Sequence, residues 1–228
     1  MRQQLLPIQS DELLDFNNYM SSSANKSVID YLKNIDQNNS TLSGEKMLYL
    51  TGKHSSGLTH VLNAAARLHK NFIIISNKNE LLAVMDKQKD NLGAIAIDNV
   101  DTLLGDLETE KVLFNLYNSV AQQNTIFMYL ASHALPSQLN CNLPDLKSRL
   151  QALLVLTIQE LTDKEKVLAL EMRATQRGFA LPREVSEYLL NHFPRDSYTL
   201  FQSLNKLDNL SLEEKRKLTI PFIKEVFS

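Results

Sequence analysis

A single cysteine, Cys141, stands among the 228 residues of the sequence. A lone thiol closes no internal disulfide, and no Cys/His cluster has metal-ligand spacing. Neither a disulfide framework nor structural zinc is expected, and a reducing compartment, with the cytoplasm as default, follows. Long hydrophobic runs are also missing: no uninterrupted apolar stretch approaches the roughly 18 to 20 residues that cross a bilayer. Asp11, Glu12 and Asp15 interrupt the N-terminal stretch, so secretion and membrane spanning are not expected. Charge of one sign is not in excess either. Lys plus Arg number 24 against 26 Asp plus Glu, a formal net charge of -2, so bulk charge gives no reason for strong sequence-independent binding to nucleic acid. Internal repeats and low-complexity stretches are absent. What remains is 43% hydrophobic and 22% charged, the composition of a globular protein with one large domain or two small ones.

Short runs rich in apolar and β-branched residues occur at Met47 to Thr51, Phe72 to Ser76, Ala94 to Ile97, Thr125 to Ala131 and Leu153 to Ile158. They are too short for buried helices. Apolar character without strict alternation predicts strands covered on both faces, as in a parallel sheet between helix layers. Between them, Thr59 to Lys70 sets Val61, Leu62, Ala65 and Leu68 on one stripe, and Glu108 to Gln122 does the same with Val112, Leu116 and Val120, which predicts crossover helices. A further helix is expected around Lys26 to Asn34. Strands alternating with helices predict an α/β domain over 11–158.

After Ile158 no further strand is expected, only helix starts. Thr162 followed by Glu165, and Ser211 followed by Glu214, have the spacing with which two side chains satisfy free amides at a helix N-terminus. Pro182 suits the first turn of one helix and Gly178 the end of the one before it. Residues 159–228 read as a small all-helical lid, and residues 1–10 as a flexible peptide.

The first strand runs into Gly52-Lys53-His54-Ser55-Ser56-Gly57-Leu58-Thr59 and then at once into a helical pattern. That spacing is the spacing of a phosphate loop, in which glycines permit tight turns, amides point at phosphates and the helix N-terminus adds partial positive charge. The position after the second glycine calls for lysine; here it is Leu58, while Thr59 keeps the hydroxyl that reaches magnesium. Lys53 sits at the wrong end of the loop to replace the lysine. On the loop alone, a ligand-free glycine turn between strand and helix is an equal alternative.

Ala94-Ile95-Ala96-Ile97-Asp98 shifts the balance. It is an apolar strand ending in an acid, as the magnesium-ligating strand of a phosphate-loop ATPase would be. In ATPases of the AAA+ type the next residue is usually a second acid that polarises water. Here it is Asn99, which cannot act as a base. Loss of the lysine weakens charge stabilisation at the phosphates and loss of the acid slows water activation, so no intrinsic ATPase of consequence is expected.

The sequence resembles the DnaA-related AAA+ proteins over almost its whole length. Gln3-Gln4-Leu5-Leu6-Pro7-Ile8, Ile97-Asp98-Asn99-Val100-Asp101, Leu143-Pro144-Asp145-Leu146-Lys147-Ser148-Arg149-Leu150, and Arg216 to Val226 carry the likeness. The resemblance implies an AAA+ parallel sheet with helices on both faces, followed by the helical lid. It further implies a negative regulator of replication initiation that, tethered to the DNA-loaded sliding clamp (the β subunit of DNA polymerase III), stimulates hydrolysis of DnaA-bound ATP. Arg149 matches the family's arginine finger, which would act in trans on the partner's ATP; a surface salt bridge is the alternative. Arg195 matches the sensor-two arginine, with a capping or solvent-facing role as its alternative. His133 stands where the family's sensor-one aspartate is usual, and Phe16 and Tyr19 lie where the N-terminal segment borders adenine, or pack the base.

Gln3, Leu6 and Ile8 fit the spacing of a clamp-binding peptide, in which glutamine sets register and apolar residues fill a pocket. Gly52, Ser56, Gly57, Thr59, Asp98 and Arg195 are the expected nucleotide contacts, ADP the expected ligand, and Thr59 and Asp98 the groups that would reach Mg. The chain stops after the lid, where DnaA continues into a DNA-binding domain, so contact with DNA is expected to be indirect; a homo-oligomer is compatible. Two alternatives stand beside this reading: a nucleotide-free degenerate AAA+ scaffold, and an autonomous ATPase or loader-type subunit.

Overall fold

The computed structural model describes residues 14–35, 46–85, 91–123 and 125–227. Five strands, β1 (Met47–Gly52), β2 (Phe72–Ile75), β3 (Ala94–Ile97), β4 (Phe127–Ser132) and β5 (Leu154–Ile158), form one sheet in the order β2-β3-β4-β1-β5. Every pairing is parallel, with Leu50 opposite Ala131 on one side and Leu156 on the other. All residues of β3 and β4 are buried, which is why their sequence lacks alternation. The fourth strand starts two residues later than its apolar run: the Phe127 amide goes to the Gly93 carbonyl and the Met128 amide to Lys46.

Helices cover both faces. On one, Tyr49, Ile95, Ile97, Met128 and Leu130 pack against α4 (Leu107–Gln122) and α5 (Pro144–Gln151) through Leu113, Leu116, Val120, Leu146 and Leu150; α3 (Lys78–Met85) adds Leu81 and Val84. On the other, Ala94, Ala96 and Ala131 present a floor of small side chains on which α2 (Leu58–Ala66) lies with Val61, Leu62, Ala65 and Ala66, beside Ile29 and Leu32 of α1 (Lys26–Lys33). Leu68, expected on the buried stripe of α2, is 41% exposed, because the helix ends at Ala66 and the chain turns toward Asn71, whose φ is 54°.

The lid comprises α6 (Asp163–Gln176), α7 (Arg183–His192), α8 (Ser197–Glu214) and α9 (Ile220–Phe227), around a core of its own that includes Leu170, Leu189, Leu204 and Phe222. The reciprocal cap at Thr162 and Glu165 forms as expected, and Gly178, at φ 86°, follows the last turn of α6. Pro182 is the residue just before α7 rather than inside its first turn. Ser211 is not a helix start. It lies in the last turn of α8, its hydroxyl donating to the Arg216 carbonyl at 2.6 Å. The buried stripe Leu200, Leu204 and Leu207 carries the helix onward, and a serine three residues before a glutamate has no capping role once its own backbone is helical.

Base and lid are joined near the start of α1. The buried Asn25 carboxamide accepts from the Gln159 amide at 2.8 Å and donates to the Gln159 carbonyl at 2.8 Å. The Gln176 side chain of α6 donates to the Asn17 carbonyl at 2.9 Å.

Candidate functional site

The C-terminal ends of β1, β4 and β3 lie side by side, the edge at which open α/β sheets hold ligands. From β1, Gly52 opens the loop to α2. A methyl group on Gly52 would come within 2.7 Å of the Ile158 carbonyl oxygen, so only glycine lets the loop turn there. Gly57, φ 81°, precedes α2 in the left-handed conformation that glycine adopts without a side-chain penalty. Gly52, Ser56, Gly57 and Thr59 are thus brought to one loop, beside the free amides of the first turn of α2. Leu58 occupies the lysine position and is 3% exposed, packed with Val61 and Leu62. The missing cation is replaced by a core contact.

From β3, Asp98 meets the loop. Its Oδ2 accepts from the Thr59 hydroxyl at 2.9 Å and its Oδ1 from the Asn99 amide at 3.0 Å. Burial pushes the Asp98 carboxyl above its ordinary value despite these hydrogen bonds. Thr59 and Asp98 offer adjacent hard oxygens of the kind magnesium takes. Among the described residues no group of three or more His, Cys, Asp or Glu side chains gathers to hold a metal, so the pair fits an ion whose remaining ligands are phosphate oxygens and water. From β4, His133 follows Ser132, and its Nδ1 lies 2.7 Å from the Gly52 carbonyl oxygen, with its ring 4.0 Å from that of His54. His133 braces the loop entry.

Between the loop and the lid lies an open cleft. Ser55, Ser56, Gly57 and His60 line its base side, Tyr19 its flank, and Met172, Arg173, Ser197 and Phe201 its lid side. Tyr19 meets the His60 ring edge-on at 5.2 Å, and burial holds the Tyr19 hydroxyl up at about 12. Burial pushes the His60 imidazole below its ordinary value, and its Nε2 lies 2.8 Å from the Asp15 carbonyl oxygen. A neutral, apolar-flanked half and a loop rich in amides and hydroxyls share one cavity. Phe16 does not line it; it packs against the base core with Lys33 Nζ 5.4 Å above its ring.

Arg195 is not brought to the cleft. It pairs with Asp163 at 2.8 Å with its side chain 60% exposed, the solvent-facing alternative raised by its sequence context. Among the described residues lining the cleft, Arg173, on α6, is the cation, with its guanidinium 4.5 Å from the Phe201 ring centre. Sequence patterning did not single it out, because an arginine on a lid helix reads as solvent-facing.

Arg149 lies on the outer face of α5 and is exposed, while Leu146 and Leu150 of the same helix are buried. Among the described residues no carboxylate forms a salt bridge with it. The helix is anchored by a residue missed at the level of sequence. Glu110, fully buried in α4, accepts from the Gly105, Asn142 and Leu143 amides at 2.8, 3.0 and 2.6 Å. Burial alone would raise its carboxyl, but the three amides outweigh it and hold the group below its ordinary value. The spacing of Glu110 with Leu113 and Tyr117 on the buried stripe was the available signal. The expected clamp-binding residues Gln3, Leu6 and Ile8 lie outside the described residues.

Residues 163–227 match the family described as Hda, lid domain. Domain III of the Thermotoga maritima replication initiation protein DnaA superposes with a TM-score of 0.78 at 16% identity, covering 97% of each chain. AMPPCP-bound DnaA from Aquifex aeolicus gives 0.65 at 20% identity over 88% of this chain and 68% of that one. The Thermotoga maritima RuvB Holliday junction branch migration motor gives 0.67 at 13% identity over 93% and 70%. The lid is Hda-like, and the chain as a whole has the AAA+ fold of DnaA domain III.

Proposed function

We propose that this chain is a DnaA-related regulator that switches off replication initiation by promoting hydrolysis of ATP bound to DnaA, while its own nucleotide site binds ADP as a conformational ligand. The observation that carries the reading is Arg149: an exposed guanidinium, on a helix held from beneath by Leu146 and Leu150, without a salt-bridge partner among the described residues. In AAA+ assemblies a nucleotide lies between subunits, and an arginine from the neighbour stabilises the charge that develops on the γ-phosphoryl group. Such a cation needs a rigid base and an open face. Its own subunit's hydrolytic machinery is not required.

That division of labour agrees with the chain's own site. Leu58 gives the phosphates no charge and Asn99 gives water no base, so the chain holds ligand without turning it over. The loop amides and Thr59 would receive phosphate oxygens, Asp98 with Thr59 would hold magnesium, and Tyr19 with Met172 would flank the base. Magnesium, when bound, neutralises phosphate charge. Gln3, Leu6 and Ile8 would tether the chain to the sliding clamp, and DnaA would be met there.

The test is reconstitution. DnaA loaded with ATP is mixed with this chain, with and without clamp loaded on DNA, and phosphate release is measured. Acceleration that needs both the chain and the loaded clamp is the expected result. Multiple turnovers by the chain alone would instead establish an autonomous ATPase, and no acceleration in any mixture would remove the regulator reading.

A further inference from the structure

The segment ahead of α1 and the first turn of α2 meet at His60, a side chain that phosphate binding does not use. Asp15 and Asn18 close a reciprocal turn. The Asp15 carboxylate accepts from the Asn17 and Asn18 amides at 2.8 and 3.1 Å, and the Asn18 side chain accepts from the Asp15 amide at 3.1 Å. That turn sets the Asp15 carbonyl oxygen 2.8 Å from His60 Nε2. A carbonyl oxygen can only accept, so Nε2 carries the proton, and in the neutral ring Nδ1 is left with a lone pair. Tyr19, whose hydroxyl accepts from the Asn25 side chain at 3.2 Å, packs edge-on against the same ring and fixes its orientation. Among the described residues no donor meets Nδ1. His60 lines the cleft with Tyr19, Met20, Leu161 and Met172, one turn of α2 beyond Gly57.

We propose that His60 is the base-specificity residue of the cleft: its fixed tautomer offers Nδ1 as an acceptor to the exocyclic amino group of adenine and refuses the O6 carbonyl of guanine or hypoxanthine. The proposal rests on the nucleotide-site reading above and deepens it by naming what selects the base. A free imidazole can present either a donor or an acceptor by moving its proton between the two nitrogens. Here that exchange would set a lone pair against the Asp15 carbonyl oxygen, so the ring cannot adapt to a purine that carries oxygen at position 6. Against Nδ1 such an oxygen brings two acceptors together with no hydrogen between them. Met20, Leu161 and Met172 contact any purine alike, and apolar contact of that kind discriminates weakly. Base selection therefore does not draw on the loop, and loss of the loop lysine leaves it intact.

The test uses the full chain and calorimetric titration with ADP, inosine diphosphate and guanosine diphosphate at pH 8, where an imidazole is neutral. Wild type should bind ADP about tenfold or more tighter than either oxo purine, the scale of one hydrogen bond made against one acceptor left facing another. His60→Phe keeps an aromatic ring and gives up Nδ1. It should bring ADP and inosine diphosphate to within about twofold of each other, by weakening ADP. A second measurement needs no variant: nitrogen NMR of the wild-type imidazole should show a protonated Nε2 and an unprotonated Nδ1, and the Nδ1 signal should move on addition of ADP but not of inorganic pyrophosphate. Equal affinity of wild type for ADP and inosine diphosphate overturns the base reader while leaving the nucleotide site standing. So does an undiminished ADP preference in His60→Phe, or an Nδ1 that is protonated or that ADP leaves in place. Wild-type protein that takes none of the three nucleotides overturns both readings.

Discussion

At Asp98 two demands oppose each other. The carboxylate stands beside the Thr59 hydroxyl, the pair proposed to hold magnesium, yet burial disfavours its charge and raises its pKa. A group whose folded pKa lies above its unfolded value weakens the fold once deprotonated, so the destabilisation is present above the folded pKa and relieved as pH falls through it. Asp98→Asn keeps an acceptor for the Thr59 hydroxyl and removes the buried charge. The variant should melt at a higher temperature than wild type in the absence of ligand at neutral pH, and should lose any stabilisation by magnesium with ADP. A lower ligand-free melting temperature would show that the charge is better accommodated than its burial implies. Asp98 was legible in the sequence because a strand of apolar residues ends on it. Arg173 was not, since only the lid's placement over the loop distinguishes it from other helix arginines, and Arg195 was assigned from its neighbours in sequence when its actual neighbour is Asp163, 32 residues earlier.

Among elements, α5 depends on a carboxylate in α4. Glu110 satisfies the amides of Asn142 and Leu143 immediately before the helix that carries Arg149, so the direction in which α5 leaves the loop is set from within the core. Its folded pKa is depressed, so its contribution is fully present above the ordinary glutamate value of 4.5 and is lost as pH falls through the lower folded value. Glu110→Gln puts an amide donor among amide donors and should destabilise the protein by about 2 to 3 kcal/mol at pH 7. Hydrogen exchange at Asn142 and Leu143 should rise with it. Unchanged denaturation midpoints and exchange would show that the loop is held by its other contacts. Patterning located the strands, α1 and the first lid helix because apolar spacing and caps agree there. It failed at Ser211, where the same four-residue motif sits inside a helix sustained by Leu200, Leu204 and Leu207, and at Leu68, where the stripe outlasts the helix.

In the whole molecule, the three proposed functions are assigned to separate residues: ligand binding to the cleft between base and lid, the trans-acting cation to Arg149, and clamp binding to Gln3, Leu6 and Ile8. If they are separable, they can be removed one at a time. Substituting Gln3 and Leu6 with Ala should weaken binding to the sliding clamp by about tenfold or more, as loss of a pocket-filling anchor does, without changing ADP affinity. Equal clamp binding by that variant would mean that the tether lies elsewhere. Composition correctly bounded the architecture, because buried parallel strands and an amphipathic helical lid both write their burial into the order of residues. The relation of lid to loop is a matter of long-range contacts such as Asn25 with Gln159, and no local pattern encodes it.

The most direct measurement compares wild type with Arg149→Ala in the hydrolysis of DnaA-bound ATP, with clamp loaded on DNA. An arginine supplied in trans is worth roughly 10³-fold or more in the rate of phosphoryl transfer, so the variant should lose that acceleration while keeping its fold, its clamp binding and its ADP affinity. Stimulation by Arg149→Ala equal to wild type would contradict the account.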